Sequence, residues 1–166
     1  MFSQIQDFVD LWKTESELTI KVFSNITNEK LKDEVTPNIR SLGRLSWHIT
    51  QTLTEMPYKA GIVDKDFLDN LPVPSTIEEI ISTYKKYSDI LVQSLQNKWT
   101  DDKLDEIIEI YGQKWERKKI LWSLISHQIH HRAQLTTIMR LQNVPVPGIY
   151  GPSKEEWVKF GMEPHK

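Results

Sequence analysis

The chain has 166 residues, of which 39% are hydrophobic and 27% charged, and its formal net charge is -2 with a pI near 6.2. This length and composition predict one globular domain over residues 1–166, and the mixed charge excludes a basic surface for nucleic acid. The absence of cysteine excludes disulfides, thiolate zinc sites and a cysteine nucleophile. The first residues lack the basic start and apolar run of a signal peptide, and no apolar run approaches the roughly 18 residues of a membrane span. We therefore expect a soluble, cytoplasmic protein without a nucleic-acid or membrane partner.

Apolar residues with helical spacing predict a first helix over residues 2–26. They are Ile5, Phe8, Val9, Trp12, Phe23 and Ile26. Ser16 and Thr19 interrupt this apolar face at its centre, and Glu15 lies at its edge. Polar groups within a buried face indicate either a cavity or side chains that hydrogen-bond to the preceding turn.

A second helix is predicted over residues 40–60, with Ser41 able to act as its N-cap. His48 lies at the margin of its apolar face, and Glu55 lies two turns further along the same margin. A single histidine in such a place is commonly a surface or hydrogen-bonded residue. Its role as a metal ligand therefore depends on partners elsewhere in the chain.

A third helix is predicted over residues 75–99, because the segment STIEE contains a capping box, either Ser75 with Glu78 or Thr76 with Glu79. The apolar period then changes between residues 100 and 119. There the segment EIIEIYGQKWER, with a glycine able to form a turn, predicts a short hairpin between the third and fourth helices.

The fourth predicted helix, residues 120–142, contains three of the five histidines of the chain. His127 and His131 are four residues apart, so their side chains point about 40° apart on one helical face, whereas His130 points roughly 100° away. Because the pair lies within an apolar stripe, the imidazoles need partners, either a shared metal ion or hydrogen bonds to carbonyls and hydroxyls. Gln128 stands where a zinc peptidase of the HExxH type has its glutamate base, which disfavours a peptidase.

The opposite side of this helix is also apolar, with Trp122, Ile125, Ile129 and Ala133. A helix that is apolar on two faces needs two surfaces against which to bury them. Packing within the chain provides one surface. A second copy would provide the other, so we expect a homodimer.

Three segments carry a resemblance to a known family: SLGRLSWHI around His48, SHQIHHRAQL around His127 and His131, and the tail VPVPGIYGPSKEEW. Together they resemble the DinB / YfiT-like family of metal-binding four-helix proteins, over nearly the whole chain. The resemblance implies an all-α, up-down-down-up four-helix bundle that forms homodimers. In that family one histidine of the second helix and two of the fourth bind a divalent metal, which implies His48, His127 and His131 as the ligands here.

The resemblance also implies an activity, since some relatives are S-transferases that use bacillithiol, mycothiol or glutathione. We therefore expect a metal-dependent transferase that joins a low-molecular-weight thiol to a small electrophile. Three imidazoles with open positions suit a catalytic ion, with zinc or nickel favoured over iron or manganese. Glu55 and Glu15 are the candidate catalytic carboxylates. Ser16 and Tyr84 are candidates for contacts with the substrate or with the metal ligands. The alternatives are a metal-dependent hydrolase with Glu55 or Glu15 as base, and a non-catalytic, stress-related metal-binding protein.

Overall fold

The computed structural model describes residues 2–164 and contains four long helices and one short hairpin. The helices are α1 (Ile5–Phe23), α2 (Leu42–Lys59), α3 (Ile77–Lys98) and α4 (Arg117–Leu141), and the strands β1 (Ile107–Ile110) and β2 (Gln113–Glu116) precede α4. Short 3-10 helices lie at Asn28–Lys30, Asp101–Asp105 and Trp157–Phe160. The predicted four-helix fold with a hairpin-like connector is confirmed.

Side-chain caps explain where the helices begin. The Ser41 hydroxyl accepts a hydrogen bond of 3.2 Å from the first turn of α2, as predicted. Thr76 and Glu79 form the capping box of α3, which is one of the two predicted residue pairs. The first helix is shorter than predicted, because Gln4 is its N-cap and the Asp7 carboxylate accepts the Gln4 N–H at 3.0 Å.

Contacts between helix ends give the direction of each helix. The first N–H of α1 donates to Asp101, which lies just beyond the end of α3, at 2.8 Å. Lys98, at the end of α3, pairs with Asp64, which follows α2, at 2.5 Å. Arg117, the first residue of α4, lies over the ring of Trp99 at the end of α3. Therefore α1 and α4 run opposite to α2 and α3, the up-down-down-up order that the resemblance implies.

Each helix packs against two others around one core. The helices α1 and α2 both contact α3 and α4, so α2 and α4 are neighbours and can share a site. The buried aromatic residues of the core are Phe2, Phe8, Trp12, Phe23, Trp47, Tyr84 and Trp99. Within residues 2–164 no helix combines the length and apolar character that crossing a membrane requires.

The connector before α4 is a tight hairpin. The two strands pair antiparallel, with Ile110 opposite Gln113. Between them, Tyr111 and Gly112 have φ values of 53° and 70°, and two successive residues with positive φ are typical of a two-residue hairpin turn. The turn brings the Tyr111 hydroxyl to 3.2 Å from a carboxylate oxygen of Glu55 on α2, so the hairpin contacts the helix that carries a candidate site residue.

The second apolar face of α4 is covered in part by its own chain. Ile125 is fully buried in the core. Trp122 packs on Phe2, with ring centroids 6.3 Å apart, but remains 45% exposed. Part of the apolar pattern therefore has an explanation within one chain, and the homodimer stays a prediction.

Candidate metal centre

Three histidines from two helices meet where α2 packs on α4. The Nε2 atoms of His48 and His131 are 3.2 Å apart. The ring centroid of His127 lies 4.3 Å from that of His131 and 5.1 Å from that of His48. One nitrogen from each ring lies within 4.8 Å of the others, so the three form a group that could hold a metal ion. His130 is exposed and, as predicted, is not part of the group.

The spacing and chemistry of these donors fit one cation. Two nitrogens that are each about 2.1 Å from a common ion lie roughly 3.0 to 3.4 Å apart at ordinary coordination angles. The separation of 3.2 Å between the His48 and His131 nitrogens falls in this range. In addition, the buried Nδ1 of His127 has no hydrogen-bond partner among residues 2–164. A buried polar atom without a protein partner is a mark of a site for an ion or water.

Gln134 fixes the tautomer of one candidate ligand. Its Oε1 lies 2.7 Å from Nδ1 of His131, and an amide oxygen can only accept a hydrogen bond. Its Nε2 lies 3.0 Å from Nε2 of His130, which agrees with this orientation of the amide. His131 therefore carries its proton on Nδ1 and presents the lone pair of Nε2 to the site. Metal-binding histidines typically have such a partner on their other nitrogen.

Burial keeps the three rings neutral. It lowers the pKa of His48 to about 4, and the positive charge of Arg40 acts in the same direction. Burial also lowers the pKa of His127 to about 4, with a further contribution from His131. The pKa of His131 itself is lowered by burial as well. Since the neutral imidazole is the form that binds a metal, the site can accept a cation at neutral pH without first losing protons.

Gln128 connects the two helices that carry the histidines. Its fully buried side chain donates from Nε2 to the carbonyl of Ile49 at 3.1 Å and to the hydroxyl of Thr52 at 3.2 Å. Its Oε1 accepts from the hydroxyl of Tyr84 at 3.1 Å. Because Ile49 directly follows His48, this amide fixes α4 against α2 at the level of the site. Tyr84, a candidate from the sequence, takes part in the same contact.

Glu15 is held in a buried ion pair on the α1 side of α4. Its Oε2 lies 2.5 Å from Nη2 of Arg132, and the two side chains are 5% and 1% exposed. The Tyr150 hydroxyl donates to the same oxygen at 2.8 Å, and Arg132 donates to the Thr19 hydroxyl at 3.2 Å. Ser16 donates to the preceding turn at 3.0 Å, one of the two predicted alternatives. These partners support a structural function of Glu15, and its role as a base stays a prediction.

Glu55 lines a cavity together with His48. The cavity has a volume of about 340 Å³ and is bounded on another side by Asp66. Oε1 of Glu55 accepts from Lys59 at 2.6 Å and from Tyr111 at 3.2 Å. Its second oxygen, Oε2, accepts no hydrogen bond from the part of the chain that the structure describes. Of the two predicted carboxylates, Glu55 is therefore the one placed beside a candidate ligand with an oxygen available.

Sequence reasoning missed three residues that support the site. Gln134 could have been found, because it lies three residues after His131, where side chains of a helix are neighbours. In the sequence Gln128 marks only a departure from a peptidase motif, and no predicted role attaches to Arg132. These two polar residues are four apart, so their side chains lie on the same side of the helix, and both are buried.

Comparison with known proteins decides the family. The model of the DinB family matches residues 1–165. The chain belongs to the DinB family. This membership confirms the resemblance that was drawn from the histidine segments and the tail.

The chain is similar to one curated protein and to two solved DinB-like structures. The uncharacterized protein YrdA of Bacillus subtilis strain 168 is 38% identical over 166 residues, which cover 100% of this chain and 99% of YrdA. A crystal structure of a DinB-like protein from Bacillus cereus ATCC 10987 has 34% identity and a TM-score of 0.80, covering 90% of this chain and 100% of that one. The DinB-like protein YjoA of Bacillus subtilis has 18% identity and a TM-score of 0.68, covering 86% and 96%, and shares the fold.

Proposed function

We propose that this DinB-family protein holds a divalent metal ion on His48, His127 and His131 and is a metal-dependent thiol S-transferase. The substrates are a low-molecular-weight thiol of the bacillithiol type and a small electrophile. One observation carries the proposal: three neutral imidazoles converge from two helices, and among residues 2–164 the group contains no fourth ligand. A closed structural site has four protein ligands, so three ligands favour a site that leaves room for a substrate.

The residues around the histidines supply the remaining functions. A bound divalent cation supplies Lewis acidity, which lowers the pKa of a coordinated thiol or water. Gln134 keeps His131 in the tautomer that presents Nε2, through the contact of 2.7 Å. Gln128 holds α2 and α4 together, so the distance between His48 and the other two rings stays fixed. Oε2 of Glu55 can accept the thiol proton, and the sulfur then bonds to the electrophilic carbon while the leaving group of that carbon, such as chloride, departs.

The donor set favours some metals over others. Three imidazole nitrogens suit zinc or nickel, whereas iron and manganese prefer sites that include carboxylates. We therefore propose zinc or nickel as the resident ion. We also propose that the protein acts as a homodimer, because Trp122 on the second apolar face of α4 remains 45% exposed.

Thiol transfer by purified, metal-loaded protein tests this function. A set of thiols would be combined with a chlorinated aromatic electrophile, and formation of the thioether would be followed by absorbance. His127→Ala is expected to abolish metal binding and transfer together. His130→Ala is the matched control, since that residue is exposed and outside the group, and it should keep both. Full transfer activity in metal-free protein would contradict the proposal.

A second function, metal-dependent hydrolysis, is favoured by the position of Glu55. This carboxylate lines the same cavity as His48, so it could act as the base toward a water molecule. Turnover of ester or amide substrates in the absence of any thiol, lost in Glu55→Gln but retained in Asp69→Asn, would favour hydrolysis. Asp69 is the matched control because it lines the same cavity.

A further inference from the structure

A second, larger cavity also reaches the histidine group. Its volume is about 740 Å³, and it extends between the segment before α2 and the second half of α4. His131 forms part of its wall, so the cavity reaches one of the candidate ligands. Most of the remaining wall is apolar, including Leu45, Ile138 and Leu141. A cavity of this size and character suits a small molecule with an apolar part.

Arg40 contributes a cation to the wall of this cavity, and its guanidinium is available to bind a ligand. It is exposed, and within residues 2–164 it forms neither an ion pair nor a hydrogen bond. The chain's other arginines near α2 and α4 have partners: Arg44 donates to Gln51 at 3.2 Å, and Arg132 is paired in the core. A planar guanidinium with free donors is suited to binding a carboxylate through two parallel hydrogen bonds.

The positive charge of Arg40 lies in the same cavity as a candidate metal ligand, because Arg40 and His131 both form part of its wall. A divalent cation on the three histidines would add to the positive potential of Arg40. The cavity wall therefore combines an apolar surface with positive charge, which is complementary to an amphipathic anion.

We propose that this cavity binds a small thiol that bears a carboxylate, with the carboxylate on Arg40 and the sulfur directed to the histidine group. The assignment rests on the proposed function, because it names the class of thiol that the transferase would use. Arg40 then determines specificity: a carboxylate-bearing thiol is preferred over a neutral thiol of the same length. The apolar wall at Leu45 and Ile138 is left for the electrophile.

Binding of defined probes to cobalt-substituted protein tests the assignment. The probes are 3-mercaptopropionate and the neutral thiol 2-mercaptoethanol, and near-ultraviolet charge-transfer absorption reports a sulfur on the cobalt. We expect 3-mercaptopropionate to bind about fivefold more tightly, the upper end for an exposed ion pair. Arg40→Gln should remove this preference. Arg44→Gln is the matched control, since Arg44 carries the same charge on the same helix end but does not line the cavity, and it should keep the preference.

A third probe without sulfur, 3-phenylpropionate, separates the binding of a carboxylate by Arg40 from the binding of a thiol by the histidine group. It would be titrated by calorimetry into metal-free wild-type protein and Arg40→Gln. If 3-phenylpropionate binds in an Arg40-dependent way while neither thiol gives the cobalt–sulfur band, Arg40 binds a carboxylate that belongs to the electrophile. The assignment of a thiol to this cavity and the proposed thiol transfer are then both wrong. If both thiols give the band equally in all variants, the transferase stands and the assignment to Arg40 is overturned. If none of the carboxylates depends on Arg40, as expected when a second copy covers the cavity, the assignment is likewise overturned.

Discussion

Replacement of Arg132 by Met tests the buried ion pair that ties α4 to α1. Arg132 and Glu15 are 1% and 4% exposed, and their nearest atoms are 2.5 Å apart. Removal of the guanidinium leaves a buried carboxylate without its counter-charge, which typically costs about 3–5 kcal/mol. Because single domains have free energies of unfolding of about 5–15 kcal/mol, the loss should be large and easily measured. Urea unfolding followed by circular dichroism gives the value.

The double variant Glu15→Leu with Arg132→Met shows whether the cost comes from the unpaired charge. Replacing both members of a buried pair by apolar residues is often neutral or stabilising, so the double variant should recover most of the lost stability. Tyr150 loses its partner oxygen in this variant, but its hydroxyl is partly exposed and can bond to water. The coupling free energy from the cycle of single and double variants gives the strength of the pair.

Two results would refute this reasoning. A loss of less than about 0.5 kcal/mol in Arg132→Met would mean that the pair is solvated rather than buried. A Glu15→Gln variant that keeps its stability and its metal affinity but loses turnover would show that Glu15 is a base rather than a structural anchor. We expect lower stability in Glu15→Gln, with metal affinity and turnover unchanged.

Three further predictions concern the site and its support. Gln128→Leu removes three buried hydrogen bonds, so it should lower the free energy of unfolding by roughly 2–4 kcal/mol and weaken metal binding about tenfold. Unchanged values in urea and metal titrations would contradict the role of this amide. Gly43→Ala places a Cβ 2.8 Å from the Leu31 carbonyl oxygen, so it should cost about 1–3 kcal/mol in the same urea assay, whereas wild-type stability would show that the loop moves freely. The pKa of His48 and His127 is about 4 in the folded protein and about 6.5 when unfolded, so the unfolded chain binds more protons between these values. Metal-free protein should therefore lose stability as the pH falls from about 6.5 to 4, and a flat profile over this range would contradict the burial of these rings.

The sequence predicts those features that depend on neighbours in the chain. The His127 and His131 pair follows from helical geometry, and the Thr76–Glu79 box and the turn at Gly112 follow from local chemistry. The family resemblance then adds His48, whose position on the margin of its helix does not by itself indicate a ligand. The structure confirms the convergence of these rings in one group.

Features that depend on how the helices face each other could not be predicted. Glu15 and Arg132 are 117 residues apart, and nothing in either segment indicates that they meet. The same holds for the Gln128 side chain, which bonds to the backbone of Ile49. The rotation of α4 about its axis decides both contacts. That rotation is set by the packing of the whole core. The sequence alone therefore does not decide whether Glu15, at the edge of the apolar face of α1, is a catalytic base or a structural residue.

Metal binding by single histidine variants tests the central claim most directly. Wild-type protein, freed of metal and titrated with zinc against a chelator of known affinity, should bind one ion per chain. His48→Ala, His127→Ala and His131→Ala should each weaken binding at least about a hundredfold, because each removes one of three ligands. His130→Ala should bind like wild type. Wild-type affinity in His48→Ala would contradict a centre shared between α2 and α4.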